Sequence, residues 1–333
     1  MLKKTMKQVF VKKIDEWLST IDNQEVRDAI EKDLIITGGC FTSMILNDDV
    51  NDFDCYFRTK ETVLKVANYY ADIWNETHKD QKNKLGKSTK VFVLDGNNPT
   101  QELLDYYHIT NLEDSKSRMI SNTSPDRVKM IFPSDGVRGD LNAINATEEL
   151  GASPDKIIEE IDEVKADKII EKEERNYFPV FISSNAITLS DKIQLVVRFY
   201  GEPEDVHDTF DFMHTRAYWK NETKKVVIPE EVYEMTINKT LKYTGSKYPV
   251  ASVFRLRKFI NRGWKINAGQ MLKMCMQISE LDLMDIDVLE DQLIGVDSVY
   301  FMSLIHEFKE KQEKDPNFDL TSSYVISIID KIF

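Results

Sequence analysis

The chain has 333 residues, 41% of them hydrophobic and 10% aromatic, which is enough to fill the cores of more than one domain and excludes global disorder. A formal net charge of −13 excludes a protein that coats nucleic acid non-specifically, so a nucleic-acid site here must be a local basic patch on an acidic body. The three cysteines, Cys40, Cys55 and Cys275, are odd in number and lack zinc spacing, as expected of thiols used as small apolar residues in a reducing, cytoplasmic setting.

In chain order, residues 5–32 read as helix, and Met6, Val9, Phe10, Ile14 and Leu18 form an apolar stripe that suits a packed helix better than a signal peptide. No apolar run reaches the length of a membrane span. Leu34 to Thr37 reads as a short buried strand, broken by Gly38-Gly39. Phe41 to Leu46 reads as a short helix, Phe53 to Phe57 as a strand, and the segment after Thr59 as a capped helix. From 78 to 175 the pattern loosens around strands at Lys90–Leu94 and Val128–Phe132 and a charged helix from about 153 to 176. Asn185–Leu189 and Lys192–Phe199 read as paired strands, and Thr209–His214 as a third. After Pro229 the text is helical. The expectation is an α+β fold, a mixed sheet with a large insertion and an all-helical C-terminal domain. Its divisions are 1–77 and 176–228 for the sheet, 78–175 for the insertion and 229–333 for the helical part.

The stretch "GGCFTSMILNDDVNDFD" carries the chemistry. Carboxylate-x-carboxylate triplets arise roughly ten times by chance in so acidic a chain, so Asp52-x-Asp54 alone says little. A glycine pair followed at this distance by such a triplet is expected only about 0.06 times, which makes the combination informative. Glycines between strand and helix let a phosphate approach backbone N–H groups at the helix start. Alternation places Asp52 and Asp54 on one strand face, where paired carboxylates suit Mg²⁺, a hard cation that prefers oxygen ligands and phosphates. Two such ions would serve phosphoryl transfer, with a third carboxylate on a neighbouring strand. Asp211, in Phe210-Asp211-Phe212, is the candidate, and Asp208 is the other. The bland alternative is a tight turn beside two surface acids.

These residues resemble the polymerase-β-type nucleotidyltransferase superfamily, most of all the head and neck of tRNA CCA-adding enzymes and bacterial poly(A) polymerases. Gly38-Gly39, Asp52-Phe53-Asp54, the "DFMHTRAY" segment from Asp211 to Tyr218, and "YPVASVFRLRKFINRGWKI" from Tyr248 to Ile266 follow the family's order. Thr42-Ser43 stands where the family carries Arg-Asp, and Ile294 replaces the arginine of its Glu-Asp-x-x-Arg element, which implies a divergent member such as a phage would encode. The resemblance implies catalytic, metal-holding roles for Asp52, Asp54 and Asp211, with two Mg²⁺ (or Mn²⁺). It implies nucleotide contacts at Gly38, Gly39, Thr42, Ser43, Arg255, Arg257 and Lys258, and an NTP such as ATP as substrate.

Between Lys242 and Lys265 stand seven basic residues and no acidic one, the expected track for an RNA 3′ end. Its bland alternative is a helix that neutralises acidic neighbours. The insertion at 78–175 is a candidate protein interface. The competing reading is a noncatalytic descendant of the fold that serves as a binding or structural component, of a virion for example. Either would reside in the cytoplasm, the host's if a phage encodes it.

Overall fold

The computed structural model describes residues 3–80, 90–96, 98–107, 127–131, 176–183, 185–293, 308, 311–312, 314 and 320–332. The chain divides into two compact units. One holds the described residues up to His207 together with His214–Ile237; the other holds Asp208–Met213 and the described residues from Asn238 onward.

The first unit opens with α1 (Lys3–Ser19) and α2 (Gln24–Asp33), two helices where the sequence suggested one. The break follows from Asn23, whose side chain caps α2 by accepting from the Glu25 and Val26 amides at 3.0 and 3.2 Å. β1 (Leu34–Thr37) is buried throughout and runs through Gly38 into α3 (Gly39–Leu46). β2 (Phe53–Phe57) returns antiparallel to β1, and α4 (Lys60–Thr77) follows behind the Thr59 cap, whose hydroxyl accepts from the Thr62 amide.

β3 (Phe92–Asp95) and β4 (Val128–Ile131) form a separate antiparallel pair, with Leu103 of α5 (Gln101–Tyr107) in their small core. The pair is tied to α4 by Asn75, which donates to the Val91 carbonyl at 2.9 Å and accepts from the Val91 amide at 2.7 Å. The charged helix expected near 153–176 lies outside the described residues, as does most of the expected insertion.

β5 (Pro179–Ile182), β6 (Ala186–Leu189) and β7 (Ile193–Tyr200) make a meander whose last strand runs parallel beside β2. α6 (Pro203–His207), β8 (Tyr218–Lys220), β9 (Lys225–Val227) and α7 (Glu230–Ile237) complete the unit. The result is a seven-stranded mixed sheet in the order β5-β6-β7-β2-β1-β8-β9.

Alternate residues divide this sheet into two faces. On one face the register aligns Ile182, Ile187, Leu195, Cys55, Ile36 and Trp219, all buried. α1 covers it: the Phe10 ring stacks on Trp219 at 5.5 Å and meets Phe53 edge-on at 6.1 Å. Trp17 of α1 donates to the Tyr70 hydroxyl of α4 at 2.6 Å, joining the two covering helices. On the opposite face the same register aligns Phe181, Thr188, Gln194, Asp54, Thr37, Tyr218 and Val227. Five adjacent members of that row are polar, and four of those five are only half-buried.

The segment read as a third strand is not one. Asp211 lies in a bend, Phe212 makes an isolated bridge to Tyr243, and Met213–Thr215 is a short 3-10 helix. The cause is non-local: the Asp211 carbonyl accepts from the Thr244 amide at 2.9 Å, and its carboxylate pairs with Arg255. These contacts draw it into the second unit. Nor is that unit purely helical, since β10 (Thr240–Leu241) and β11 (Lys265–Ile266) pair in parallel. The rest is α8 (Pro249–Asn261), α9 (Ala268–Ile278), α10 (Ile286–Leu293) and α11 (Ser322–Ile332). Its core gathers Ile286, Leu289, Leu293, Phe308, Leu320 and Ile328, with Val250 and Phe254 of α8 packed on it.

Candidate active site

Gly38 sets the geometry. Its φ of 94° and ψ of −151° are closed to L side chains, and a Cβ there would collide with the Asp54 carboxylate oxygen. The glycine therefore lets β1 turn into α3 while the Asp54 side chain lies against the turn. Its amide donates to the Thr215 carbonyl at 3.2 Å, fixing the turn to the segment before β8. Gly39 differs: a Cβ there would meet nothing within 4 Å, so the start of α3 faces open space. The first-turn amides of Gly39, Cys40 and Phe41 have no partner within the helix by construction.

Thr37 lies opposite Asp54 in the β1–β2 register and is fully buried. Its hydroxyl donates to the Ala217 carbonyl at 2.7 Å and lies 2.8 Å from His207 Nε2. With its one proton committed, the hydroxyl accepts from that ring nitrogen, which assigns the Nε2–H tautomer to His207. Burial, helped by the Arg216 guanidinium, lowers the His207 pKa to about 4, and burial alone lowers that of His214 to about 3. Both rings are neutral at pH 7, in keeping with structural roles.

Asp52 directly precedes β2, and Asp54 is its second residue. Among the described residues no donor bonds the Asp54 carboxylate. Burial, and then the adjacent Asp52 charge, hold its pKa well above the carboxylate range. The same two charges push the buried Cys40 and Cys55 thiols up, after burial itself. A carboxylate so buried beside a second one is a poor home for a bare negative charge and a good one for a cation.

Of the residues singled out in the sequence, Gly38, Gly39, Thr42, Ser43, Asp52 and Asp54 belong to the first unit. Thr42 is buried and donates to the His214 carbonyl at 3.2 Å, so its hydroxyl proton already has an acceptor. Ser43 is half-buried one turn into α3. Asp208, Asp211, Arg255, Arg257 and Lys258 belong to the second unit. There Asp211 is buried and its Oδ2 lies 2.6 Å from Arg255 Nε, so the expected third metal carboxylate and an expected phosphate ligand engage each other. Asp208, Arg257 and Lys258 are exposed. Among the described residues no three His, Cys, Asp or Glu side chains are grouped as a metal-binding set.

Three residues of this site went unread in the sequence. Gln194 is the β7 neighbour of Asp54, and Thr37 its β1 neighbour. Arg216 lies between Thr215 and Ala217, whose carbonyls accept from Gly38 and Thr37. A signal existed for two of them: each is the lone polar side chain of an otherwise apolar run, "LIIT" and "IQLVV".

In the solved structures the chain is similar to the Thermotoga maritima CCA-adding enzyme complexed with tRNA_CCA, at 8% identity and a TM-score of 0.35, covering 94% of this chain and 58% of that one. Among curated proteins it is similar to Gabija anti-defense 2 of Bacillus phage SPbetaL7, 22% identical over 143 residues, 42% of this chain. That match spans about a third of the relative's length, 33%. The model of the Gabija anti-defense 2 family protein matches residues 8–239, a span that takes in the Gly38 turn, both aspartates and the whole seven-stranded sheet. The chain belongs to the Gabija anti-defense 2 family.

Proposed function

We propose that this protein is a metal-dependent nucleotidyltransferase, which moves a nucleoside monophosphate from an NTP to an acceptor hydroxyl. We propose further that it does so for a phage, against a host's Gabija defence and in the host cytoplasm. The observation that carries the first part is the fit of Gly38 against Asp54. A glycine with positive φ, an open helix start and the desolvated Asp54 carboxylate are brought together by the β1–β2 pairing. The family match supports the second part.

The donor set fits Mg²⁺ or Mn²⁺: Asp52 and Asp54 offer anionic oxygens, and the Asp54 carboxyl lacks any other partner among the described residues. When bound, such an ion polarises a phosphate and lowers the pKa of an oxygen held beside it. The remaining work falls to the chain itself. The first-turn amides of α3 point at an incoming phosphate, and the helix dipole favours its charge. Gly39 leaves room for the phosphate to approach the backbone. The Thr37–His207 pair braces the strand behind Asp54. Arg257, Lys258, Arg262 and Lys265, all exposed, would take the backbone of an RNA acceptor. Trp264 would not stack a base, because it is buried against Phe259.

A noncatalytic reading has one observation in its favour: Asp211, expected to complete the acid set, is held by Arg255. Purified protein incubated with Mg²⁺, labelled NTPs and a panel of RNAs separates the two. Pyrophosphate release or an extended product that is lost in Asp54→Ala supports transfer. No product from wild type, or equal product from the mutant, overturns it. Plating a Gabija-sensitive phage on cells that carry the defence and express either form then tests the role: protection by wild type alone supports it, and protection by neither overturns it.

A further inference from the structure

The strand beside β2 raises a question the acid pair leaves open: what stands in the third ligand position? In the β2–β7 register Asp54 pairs with Gln194, Phe53 with Ile193 and Cys55 with Leu195. Parallel neighbours at one register position sit about 4.8 Å apart and send their side chains to the same face. Gln194 is therefore the direct neighbour of Asp54 on the site face, and both are half-buried. Among the described residues its amide makes no hydrogen bond. An amide oxygen with no hydrogen bond to the protein, one strand away from Asp54 and on the same face, is placed to serve as a further oxygen ligand for a cation held there.

We infer that Gln194 is the third ligand of this site, and that the site therefore takes a single divalent cation, firmly only together with a nucleotide's phosphates. This rests on the proposed nucleotide reading and sharpens it. Charge decides the stoichiometry. Three carboxylates would set three negative charges against two divalent ions. Two carboxylates and a neutral amide oxygen balance one ion and leave a second with no anionic protein ligand. Mg²⁺ and Mn²⁺ accept an amide oxygen, but they draw more from carboxylate and phosphate. The nucleotide's phosphates then fill the rest of the ion's oxygen shell, and metal without nucleotide binds weakly. Asp211 cannot replace Gln194 while it is paired with Arg255.

The test is Mn²⁺ binding, followed by electron paramagnetic resonance of the free ion without ATP and, because ATP itself chelates Mn²⁺, by water-proton relaxation of the protein-bound ion against an ATP-only control when ATP is present. Wild type is expected to bind one Mn²⁺ and to bind it at least tenfold more tightly when ATP is present. Gln194→Asp or Gln194→Glu should tighten Mn²⁺ binding without ATP by about tenfold or more, and Gln194→Ala should weaken it with ATP present. Far-UV circular dichroism of each variant confirms the fold, and the longer Gln194→Glu serves if the shorter acid fails to fold. Two Mn²⁺ per wild-type chain, or unchanged metal affinity in both acidic variants, overturns the inference. Asp54→Asn distinguishes the failures. If it leaves Mn²⁺ binding intact, the nucleotide site itself is misplaced. If it abolishes binding while the Gln194 variants change nothing, only the role of Gln194 falls.

Discussion

The two faces of the seven-stranded sheet are built by the same seven strands and by alternate residues of each, yet they differ in almost every physical respect. One carries Leu195, Cys55, Ile36 and Trp219 under α1, closed and dry. The other carries Gln194, Asp54, Thr37 and Tyr218, mostly half-buried and polar. The comparison teaches how a fold tolerates a costly site. The apolar face supplies the stability, and the polar face spends some of it on a carboxylate held against its own solvation preference.

Perturbations of each face should therefore differ in size and in kind. The largest effect is expected from the closed face. Phe10→Ala removes the ring that touches Phe41, Phe53 and Trp219, and should cost about 3–5 kcal/mol in urea-unfolding free energy. A loss under about 1 kcal/mol would mean that α1 is not the cover described. Gly38→Ala comes next. The left-handed φ costs about 1–2 kcal/mol, and the clash with Asp54 adds to it. The same measurement applies, and wild-type stability in this variant would refute the turn geometry.

Acidity separates two groups of the polar face by sign, His207 beneath Thr37 and Asp54 beside it. His207 has its folded pKa lowered from 6.5 to about 4, so the unfolded chain binds the extra proton first and stability falls as pH drops through that window. His207→Gln should flatten that decline in melting temperature. Asp54 acts the other way. Its pKa is raised in the folded protein, so stability is lost as pH climbs from the ordinary carboxylate range through the raised value. Asp54→Asn should therefore melt higher than wild type near neutral pH, with the gain shrinking in acid. A mutant that melts lower at every pH would contradict the desolvated carboxylate. The smallest stability effect is expected at Gly39→Ala, within about 0.5 kcal/mol, because its Cβ meets open space. Its consequence belongs to binding, read as weaker retention of ATP in equilibrium dialysis.

The sequence shows where local chemistry decides. The strand Leu34–Thr37, the glycine turn, the strand Phe53–Phe57 and the Thr59-capped helix are all legible because each is specified within a few residues. The segment Asp208–Thr215 reads as a strand by its apolar-acid-apolar pattern. The structure bends it because Arg255, 44 residues away, claims Asp211. The acid pair was legible as a motif. Its neighbours were not, because Gln194 and Thr37 join it only through the order β7-β2-β1, which no local pattern encodes. The basic run 242–265 was visible too, but not the pairing that withdraws Arg255 from it.

The parallel pairing of β2 with β7 has a consequence for the order in which the protein is made. Synthesis delivers Thr37, Gly38 and Asp54 close together, and β1 and β2 can close on each other at once. The remaining partner of β2, the strand bearing Gln194, emerges long afterwards, and β8, the other neighbour of β1, later still. Until then the nascent chain displays the outer edge of β2, unpaired backbone with the acid pair at its mouth. A ribosome that stalls before Ile193 would release a chain with the glycine turn and both aspartates, but without the strand that makes them the centre of a sheet.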